Sequence, residues 1–215
     1  MKKKLSEDKA GREYWGELSK VISNPEETKN KRVDTTDIEL EFLKKYCDQS
    51  TTILDLGSGS GLIINKLLPS VKSITAVEKF EGFSKFISTD PNMLVINADL
   101  IGFKIRKEYN IVLCTGVGQC FPRNEMKDIY SNIVDMLDDK GYFISRMHCG
   151  IKEDVMVEGF SEELGTDYFA EFRSVDKEVE LIKEVGFSEV ELVDFLPDSI
   201  NVWDNTRHYY FICKK

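Results

Sequence analysis

Short apolar runs alternate with longer amphipathic segments along most of the chain, and this alternation is what most constrains the fold. Four runs are rich in Ile, Val and Leu and have the length of strands buried on both faces of a parallel sheet: Thr52–Leu56, Ser73–Val77, Leu94–Asn97 and Ile111–Cys114. The amphipathic segments predict helices over Leu62–Leu68, Glu81–Ile87 and Arg123–Leu137. Strands joined by helices through right-handed crossovers predict a doubly wound α/β sheet.

The two ends of the chain extend this predicted core. Residues 1–35 are polar and predict an N-terminal arm with one short amphipathic helix, whereas residues 36–215 form the main domain. A helix capped by Thr36 or Asp37 leads into the core, with its apolar side chains at helical spacing: Ile38, Phe42, Leu43 and Tyr46. The remaining predicted elements are a strand Tyr142–Met147, a helix Val175–Val185 ended by Gly186, and strands Val190–Phe195 and Tyr209–Cys213.

Charge and composition argue against several classes of protein. Lys and Arg number 29 and Asp and Glu 38, so the net charge is −9. This charge works against the counterion release that drives binding to nucleic acids or anionic membranes. No apolar run approaches the roughly 18 to 20 residues of a membrane span, and no apolar signal core follows the N-terminus, so we expect a cytoplasmic protein. The five cysteines are scattered without a Cys-x-x-Cys pair, so neither a disulfide framework nor a metal site is expected.

A glycine-rich loop follows the first predicted strand and leads into a helix. Residues Ile53–Gly61 read Ile-Leu-Asp-Leu-Gly-Ser-Gly-Ser-Gly. Glycines allow a tight turn and a close approach of a ligand to the peptide groups, although a structural turn without a ligand is the alternative interpretation. The dinucleotide fingerprint requires Gly or Ala where this chain has Leu62. Asp55 would repel a pyrophosphate and attract an ammonium group, so we expect a ligand with a cationic end.

Two further carboxylates follow the next two predicted strands. Glu78 lies 21 positions after Gly57, where a carboxylate can accept both hydroxyls of a ribose. Asp99 follows the third strand, where it can reach an exocyclic amine or the ring edge of a base. Either acid alone would more often be a solvated loop residue. Together with Asp55 they occupy three successive strand ends, which form the ligand crevice of an open α/β sheet.

These residues resemble the class I S-adenosylmethionine-dependent methyltransferases, whose first motif is an acid, any residue, then glycines at alternate positions. The resemblance covers roughly residues 36–150 and the C-terminal helix and strands. It implies a Rossmann-like, seven-stranded, mostly parallel sheet with helices on both faces and an antiparallel last strand. It also implies S-adenosyl-L-methionine as the cofactor, with ribose at Glu78, adenine at Asp99 and the methionine side at Thr115 and Gly116. The complete predicted cofactor site is Asp55, Gly57, Ser58, Gly59, Gly61, Glu78, Lys79, Asp99, Leu100, Thr115 and Gly116.

Methyl transfer is an in-line displacement that needs alignment more than a metal or a covalent residue. His148 is the candidate base, because the ordinary pKa of histidine lies near neutrality. Arg146 lies two residues earlier, on the same face of the predicted strand, and is a candidate clamp for an anionic acceptor. Both residues also fit a structural role. The secondary candidates in the same region are Gln119, Arg123 and His208.

The sequence therefore predicts methyl transfer from S-adenosyl-L-methionine to a small molecule, such as a sugar, a sugar-linked phosphate derivative or another metabolite. An NAD-dependent oxidoreductase and a non-catalytic S-adenosylmethionine-binding protein are the alternatives. The arm and the segment from Ile151 to Arg173 are candidate lids, and docking of a surface helix is the other interpretation of that segment. Ten acids against three basic residues between Ile151 and Glu180 supply −7 of the −9 charge, so we expect no nucleic-acid partner.

Overall fold

The computed structural model describes residues 7–29, 33–162, 165–201 and 203–215. Its six described α-helices are α1 (Glu7–Val21), α2 (Thr36–Leu43), α3 (Leu62–Leu67), α4 (Glu81–Ser84), α5 (Arg123–Met136) and α6 (Val175–Glu184). Its nine described strands are β1 (Thr52–Leu56), β2 (Ser73–Val77), β3 (Met93–Ile96), β4 (Tyr109–Thr115), β5 (Leu137–Gly150), β6 (Val155–Ser161), β7 (Thr166–Phe172), β8 (Glu189–Val193) and β9 (Thr206–Lys214). In this part of the chain no helix is both long and apolar enough to cross a membrane.

Seven strands form the central sheet, in the order β3-β2-β1-β4-β5-β9-β8. The five from β3 to β5 are parallel, whereas β9 runs antiparallel to both β5 and β8. This confirms the predicted Rossmann-like sheet with an antiparallel last strand. The strand order reverses between β1 and β4, and the carboxyl ends of strands at such a switch point flank a ligand crevice.

The strands β1, β2 and β4 are buried on both faces of the sheet, as their uninterrupted apolar runs predicted, whereas the edge strands β3 and β8 are partly exposed. Successive residues of β1 point to opposite faces, so Ile53 packs in one core cluster and Leu54 in the other. The same alternation places Leu113 and Cys114 of β4 in different clusters. The two apolar layers fix the positions of the strand ends that carry the site.

The predicted strand boundaries agree best with the structure where the apolar runs are short and bounded by turns. The ranges of β1 and β2 match the prediction, whereas β5 extends on both sides of the predicted Tyr142–Met147. The entry into α2 also differs. The cap position is Thr35 and its side chain makes no capping hydrogen bond, while Ile38 is exposed because the buried face of α2 is formed by other residues: Thr36, Glu39, Leu40, Phe42 and Leu43.

The segment after β5 contains a β-hairpin, so its interpretation as a docked surface helix is wrong. Strands β6 and β7 pair antiparallel in a separate two-stranded sheet. Phe169 and Phe172 are buried, whereas Phe160 is exposed. Both strands are rich in β-branched and aromatic residues, which favour a pleated, half-buried strand over a helix.

The predicted helix of the N-terminal arm is α1, and it packs closely against α4. A Cβ atom at Gly82 would lie 1.9 Å from the carbonyl oxygen of Ser19, so this contact requires glycine. Lys85 donates to the carbonyl oxygen of Ile22 at 3.1 Å, just beyond the end of α1. Residues 1–6 and 30–32 of the predicted arm lie outside the described residues.

Candidate functional site

A cleft of about 250 Å³ lies at the carboxyl ends of the parallel strands. It contains all but one of the eleven residues predicted to bind the cofactor: Asp55, Gly57, Ser58, Gly59, Glu78, Lys79, Asp99, Leu100, Thr115 and Gly116. The exception, Gly61, caps the N-terminus of α3 in a left-handed conformation with φ of 75°. The structure therefore brings together side chains that are far apart in the sequence.

The glycine loop is tied to the end of β2 and leaves part of its backbone open. The N–H groups of Gly57 and Ser58 donate to the carbonyl oxygen of Val77 at 2.8 and 3.1 Å. A Cβ at Gly57 would lie 2.5 Å from a methyl group of Val117, whereas a Cβ at Gly59 would meet nothing within 4 Å. Gly59 has φ of 54°, a conformation that favours glycine. At Gly59 a ligand can approach the peptide groups directly.

Asp55, the last residue but one of β1, is a buried carboxyl group that lines the cleft. Burial raises its pKa to about 7; a hydrogen bond from Ser58 opposes this rise and the charge of Glu78 adds to it. A cationic group beside Asp55 would offset both the cost of burying its negative charge and the repulsion from Glu78. The environment of Asp55 is thus suited to an ammonium group of a ligand.

Glu78 is held in one orientation by backbone hydrogen bonds. Its Oε2 atom accepts from the N–H of Gly59 at 2.9 Å and its Oε1 atom from the N–H of Phe80 at 2.9 Å. Burial raises the pKa of Glu78, and these N–H groups oppose the rise. Each carboxylate oxygen can accept a further hydrogen bond, so Glu78 can serve two donors in the cleft at once.

Asp99 lies at the more exposed end of the cleft and is paired with Lys79. Lys79 donates to its Oδ2 atom at 2.7 Å, and the N–H of Ile101 donates to Oδ1 at 3.1 Å. Partial burial opposes ionisation of Asp99, but these hydrogen bonds outweigh it and lower the pKa. The carboxylate is therefore charged at neutral pH and can accept from an amine.

The N-terminal arm lies over the cleft. Arg12 and Trp15 of α1 line it, and Arg12 is fixed by an ion pair with Glu125 at 2.6 Å. Pro25 lies in the arm just beyond α1, and its carbonyl oxygen accepts a hydrogen bond from the side chain of Ser60 at 3.1 Å. This contact ties the arm to the glycine loop. The sequence suggests that the arm around Trp15 covers the acceptor, but no local sequence pattern indicates that Arg12 lines the cleft.

Arg146 lines the cleft as predicted and is anchored from behind. One terminal nitrogen donates to Glu39 at 2.6 Å, and Glu39 is almost fully buried in α2, where it also accepts from the hydroxyls of Tyr210 and Thr35. Burial opposes the charge of Arg146, but Glu39 and Tyr210 raise its pKa, so it stays protonated. The Nε atom is buried and has no hydrogen-bond partner among the described residues.

His148 does not line the cleft. Strand β5 continues to Gly150, so His148 pairs with His208 inside the ladder instead of standing at a strand end. Its ring stacks on that of His208 at 4.0 Å, and its Nε2 atom is hydrogen-bonded to the hydroxyl of Thr206 at 2.8 Å. Burial, with the charge of Arg146, lowers the pKa of His148 to about 4. Its role as a base stays a prediction.

The secondary candidates also lie outside the cleft lining. Burial lowers the pKa of His208 to about 3, with the neighbouring His148 adding to the effect. Arg123 forms an ion pair with Glu184 at 3.2 Å on the surface. Gln119 donates to the carbonyl oxygen of Gly116 at 2.8 Å and so stabilises the turn after β4.

Residues 20–137, more than half of the chain, match the family model described as ribosomal RNA adenine dimethylase. The chain belongs to this family. Membership confirms the class I S-adenosylmethionine-dependent methyltransferase predicted from the motif and, with it, S-adenosyl-L-methionine as the cofactor. No curated protein matches the chain.

Solved structures of methyltransferases share the fold at low sequence identity. The DhpI complex with S-adenosylhomocysteine has a TM-score of 0.72 and 14% identity, with 96% of both chains covered. The glycopeptide N-methyltransferase MtfA in complex with S-adenosyl-L-methionine has a TM-score of 0.66 and 14% identity, with 85% of this chain and 94% of MtfA covered. An S-adenosylmethionine-dependent methyltransferase from Clostridium acetobutylicum has a TM-score of 0.61 and 13% identity, with 94% and 96% covered. These likenesses establish the fold.

Proposed function

We propose that this protein transfers a methyl group from S-adenosyl-L-methionine to a small-molecule acceptor in the cleft at the strand ends. The observation that carries the proposal is that Asp55, Glu78 and Asp99, from three successive strand ends, line one cleft that α1 covers. A cationic end, a ribose and a base are the parts of a ligand that these three carboxylates suit.

The cleft fits this cofactor. Glu78 would accept the two ribose hydroxyls with oxygens that Gly59 and Phe80 already orient. Asp55 would face the ammonium group of the methionine part, and Asp99 would accept from the adenine amine beside Leu100. The open space in front of Gly59, which a Cβ atom would fill, leaves room for the ligand against the backbone.

Bound S-adenosyl-L-methionine supplies a methyl group on a positively charged sulfur, which an acceptor atom displaces in line. The residues of this chain bind and align the reactants, and good alignment alone offers up to about 7 to 11 kcal/mol. Arg146 would orient an anionic group of the acceptor, since its guanidinium lines the cleft and Glu39 fixes its position. With His148 outside the cleft lining, a mechanism in which the acceptor loses its proton to water is favoured.

Several features favour a small acceptor. The arm covers the cleft through α1 and the turn Pro25–Thr28, which leaves limited space for a large partner. The acidic hairpin region, 151–180, contributes most of a net charge of −9, and RNA phosphates would be repelled by it. The family match to ribosomal RNA adenine dimethylases makes RNA the second candidate acceptor.

Labelled methyl incorporation separates these acceptors. The purified protein would be incubated with methyl-labelled S-adenosyl-L-methionine and either a deproteinised extract of small metabolites or purified ribosomal RNA. We expect label in the metabolite fraction only, and loss of that label in Glu78→Ala. Label in RNA alone would support the second candidate. Binding of the cofactor without transfer to either fraction would support the non-catalytic alternative, and a thermal-shift response to NAD alone would support an oxidoreductase.

A further inference from the structure

Arg173 is a charged side chain buried behind the cleft, just after β7. It is 1% exposed and does not line the cleft. Its guanidinium makes three well-formed hydrogen bonds: Nε donates to Glu178 at 2.6 Å, and the two terminal nitrogens donate to the carbonyl oxygens of Phe121 and Gly118 at 2.9 and 3.1 Å. One side chain thus connects α6 to both ends of the short turn that follows β4.

Burying this arginine is costly unless its donors are satisfied. Glu178 offsets much of the cost, because it is 0% exposed and also accepts from the hydroxyl of Tyr130. The backbone of Arg173 is fixed as well, since its carbonyl oxygen accepts from the N–H of Gly150 at the end of β5 at 3.1 Å. The guanidinium therefore has a defined position relative to the central sheet.

The turn held by Arg173 forms one wall of the cleft. Val117, Cys120 and Phe121 line the cleft, and the guanidinium of Arg12 lies 5.6 Å from the ring centroid of Phe121. A Cβ atom at Gly118 would lie 2.5 Å from the sulfur of Met147, so the turn is also packed tightly against β5. The position of this wall therefore depends on the hydrogen bonds that the carbonyl oxygens of Gly118 and Phe121 accept from Arg173.

We propose that Arg173 is a positioning residue that fixes the turn from Gly118 to Phe121 as the wall of the cofactor cleft. The proposal rests on the proposed function, because it takes this cleft as the binding site. The planar fork of arginine reaches two carbonyl oxygens and a carboxylate at once, whereas the compact ammonium of lysine is a point charge that cannot match this spread of acceptors.

Two variants separate positioning from general stabilisation. Arg173→Lys keeps the charge beside Glu178 but loses the fork, and Tyr130→Phe weakens the same buried network while leaving both carbonyl contacts intact. We expect both variants to lower the thermal unfolding temperature. Calorimetry with S-adenosylhomocysteine should show affinity reduced about tenfold in Arg173→Lys, since small displacements at a site have large effects, and unchanged affinity in Tyr130→Phe.

A second readout does not need ligand binding. Burial raises the pKa of Cys120 to about 11 although a hydrogen bond with Trp15 opposes the rise, and burial raises the pKa of Cys47 to about 11 as well. Alkylation followed by peptide mapping should be several-fold faster at Cys120 in Arg173→Lys, with Cys47 unchanged as the internal reference. If the wild type fails to bind S-adenosylhomocysteine, the proposed function fails, but this measurement still tests the hold on the turn.

The proposal is overturned if folded Arg173→Lys binds S-adenosylhomocysteine like the wild type and Cys120 reacts at its original rate. Should that variant fail to fold, the double variant Arg173→Met with Glu178→Leu removes both buried charges, a replacement that proteins often tolerate. The double variant is expected to show the same weaker binding and faster Cys120 alkylation. Wild-type values for both in the folded double variant would contradict the proposal.

Discussion

Cofactor affinity should fall as the pH drops below 7, because Asp55 must be ionised to face an ammonium group. Burial raises the pKa of Asp55 to about 7 in the free protein. A bound ammonium favours the carboxylate and lowers that pKa, so binding at lower pH releases a proton. From pH 7.0 to 5.5 the ionised fraction of Asp55 falls about 16-fold, equivalent to about 1.6 kcal/mol of binding free energy.

The assay is calorimetric titration with S-adenosylhomocysteine at several pH values, in buffers of different ionisation enthalpy that report the released proton. The α-amino group of the ligand, with a pKa of about 7.7 to 8.0, stays mainly protonated over this range. His148 and His208, with pKa values lowered to about 4 and about 3 by burial, stay neutral.

The matched control is Asp55→Asn, which should bind more weakly at pH 7 and lose most of the pH dependence. A wild-type dissociation constant that changes less than about twofold between pH 7.0 and 5.5 would refute the reasoning. The same slope in Asp55→Asn would also refute it, since another group would then be titrating.

Three further outcomes are expected. Glu78→Ala should weaken cofactor binding by about 1.5 to 3 kcal/mol in a calorimetric titration, because the acceptor for the ribose hydroxyls is lost; an unchanged dissociation constant would remove that assignment. Gly59→Val should abolish binding with native circular dichroism, and loss of the fold would instead support a structural turn. Burial lowers the pKa values of His148 and His208 to about 4 and about 3 in the folded state, so protonation of either ring disfavours folding. The stability is fully present above the unfolded-state pKa of about 6.5 and should fall, by roughly 3 kcal/mol for His148 and roughly 5 kcal/mol for His208, as the pH decreases towards 4 and 3; denaturant unfolding against pH tests this, and a flat profile would contradict it.

The parts of the site that could be predicted are those with local signals. Asp55, Glu78 and Asp99 each follow a short apolar strand, and parallel strands bring their carboxyl ends to one edge whatever the rest of the chain does. The glycine loop is likewise contained in nine consecutive residues, Ile53–Gly61. Local pattern and sheet geometry were therefore sufficient for the cofactor side of the cleft.

The remaining parts depend on contacts between distant segments. Glu39, which anchors Arg146, lies 107 positions away from it, and Arg12 lies 113 positions from Glu125. The periodic pattern of apolar residues in the sequence does not predict ion pairs between such distant residues. The sequence pattern ended the fifth strand at Met147, which would leave His148 just beyond the strand end, whereas pairing with β9 extends β5 to Gly150 and places His148 inside the sheet.

The central claim is that the three strand-end carboxylates bind S-adenosyl-L-methionine, and a crystal structure with S-adenosylhomocysteine tests it most directly. We predict the ribose hydroxyls within about 3 Å of the carboxylate oxygens of Glu78, the amino group facing Asp55, and the adenine beside Asp99 and Leu100. Ligand density outside this cleft, or a ligand in the cleft whose ribose makes no contact with Glu78, would contradict the account.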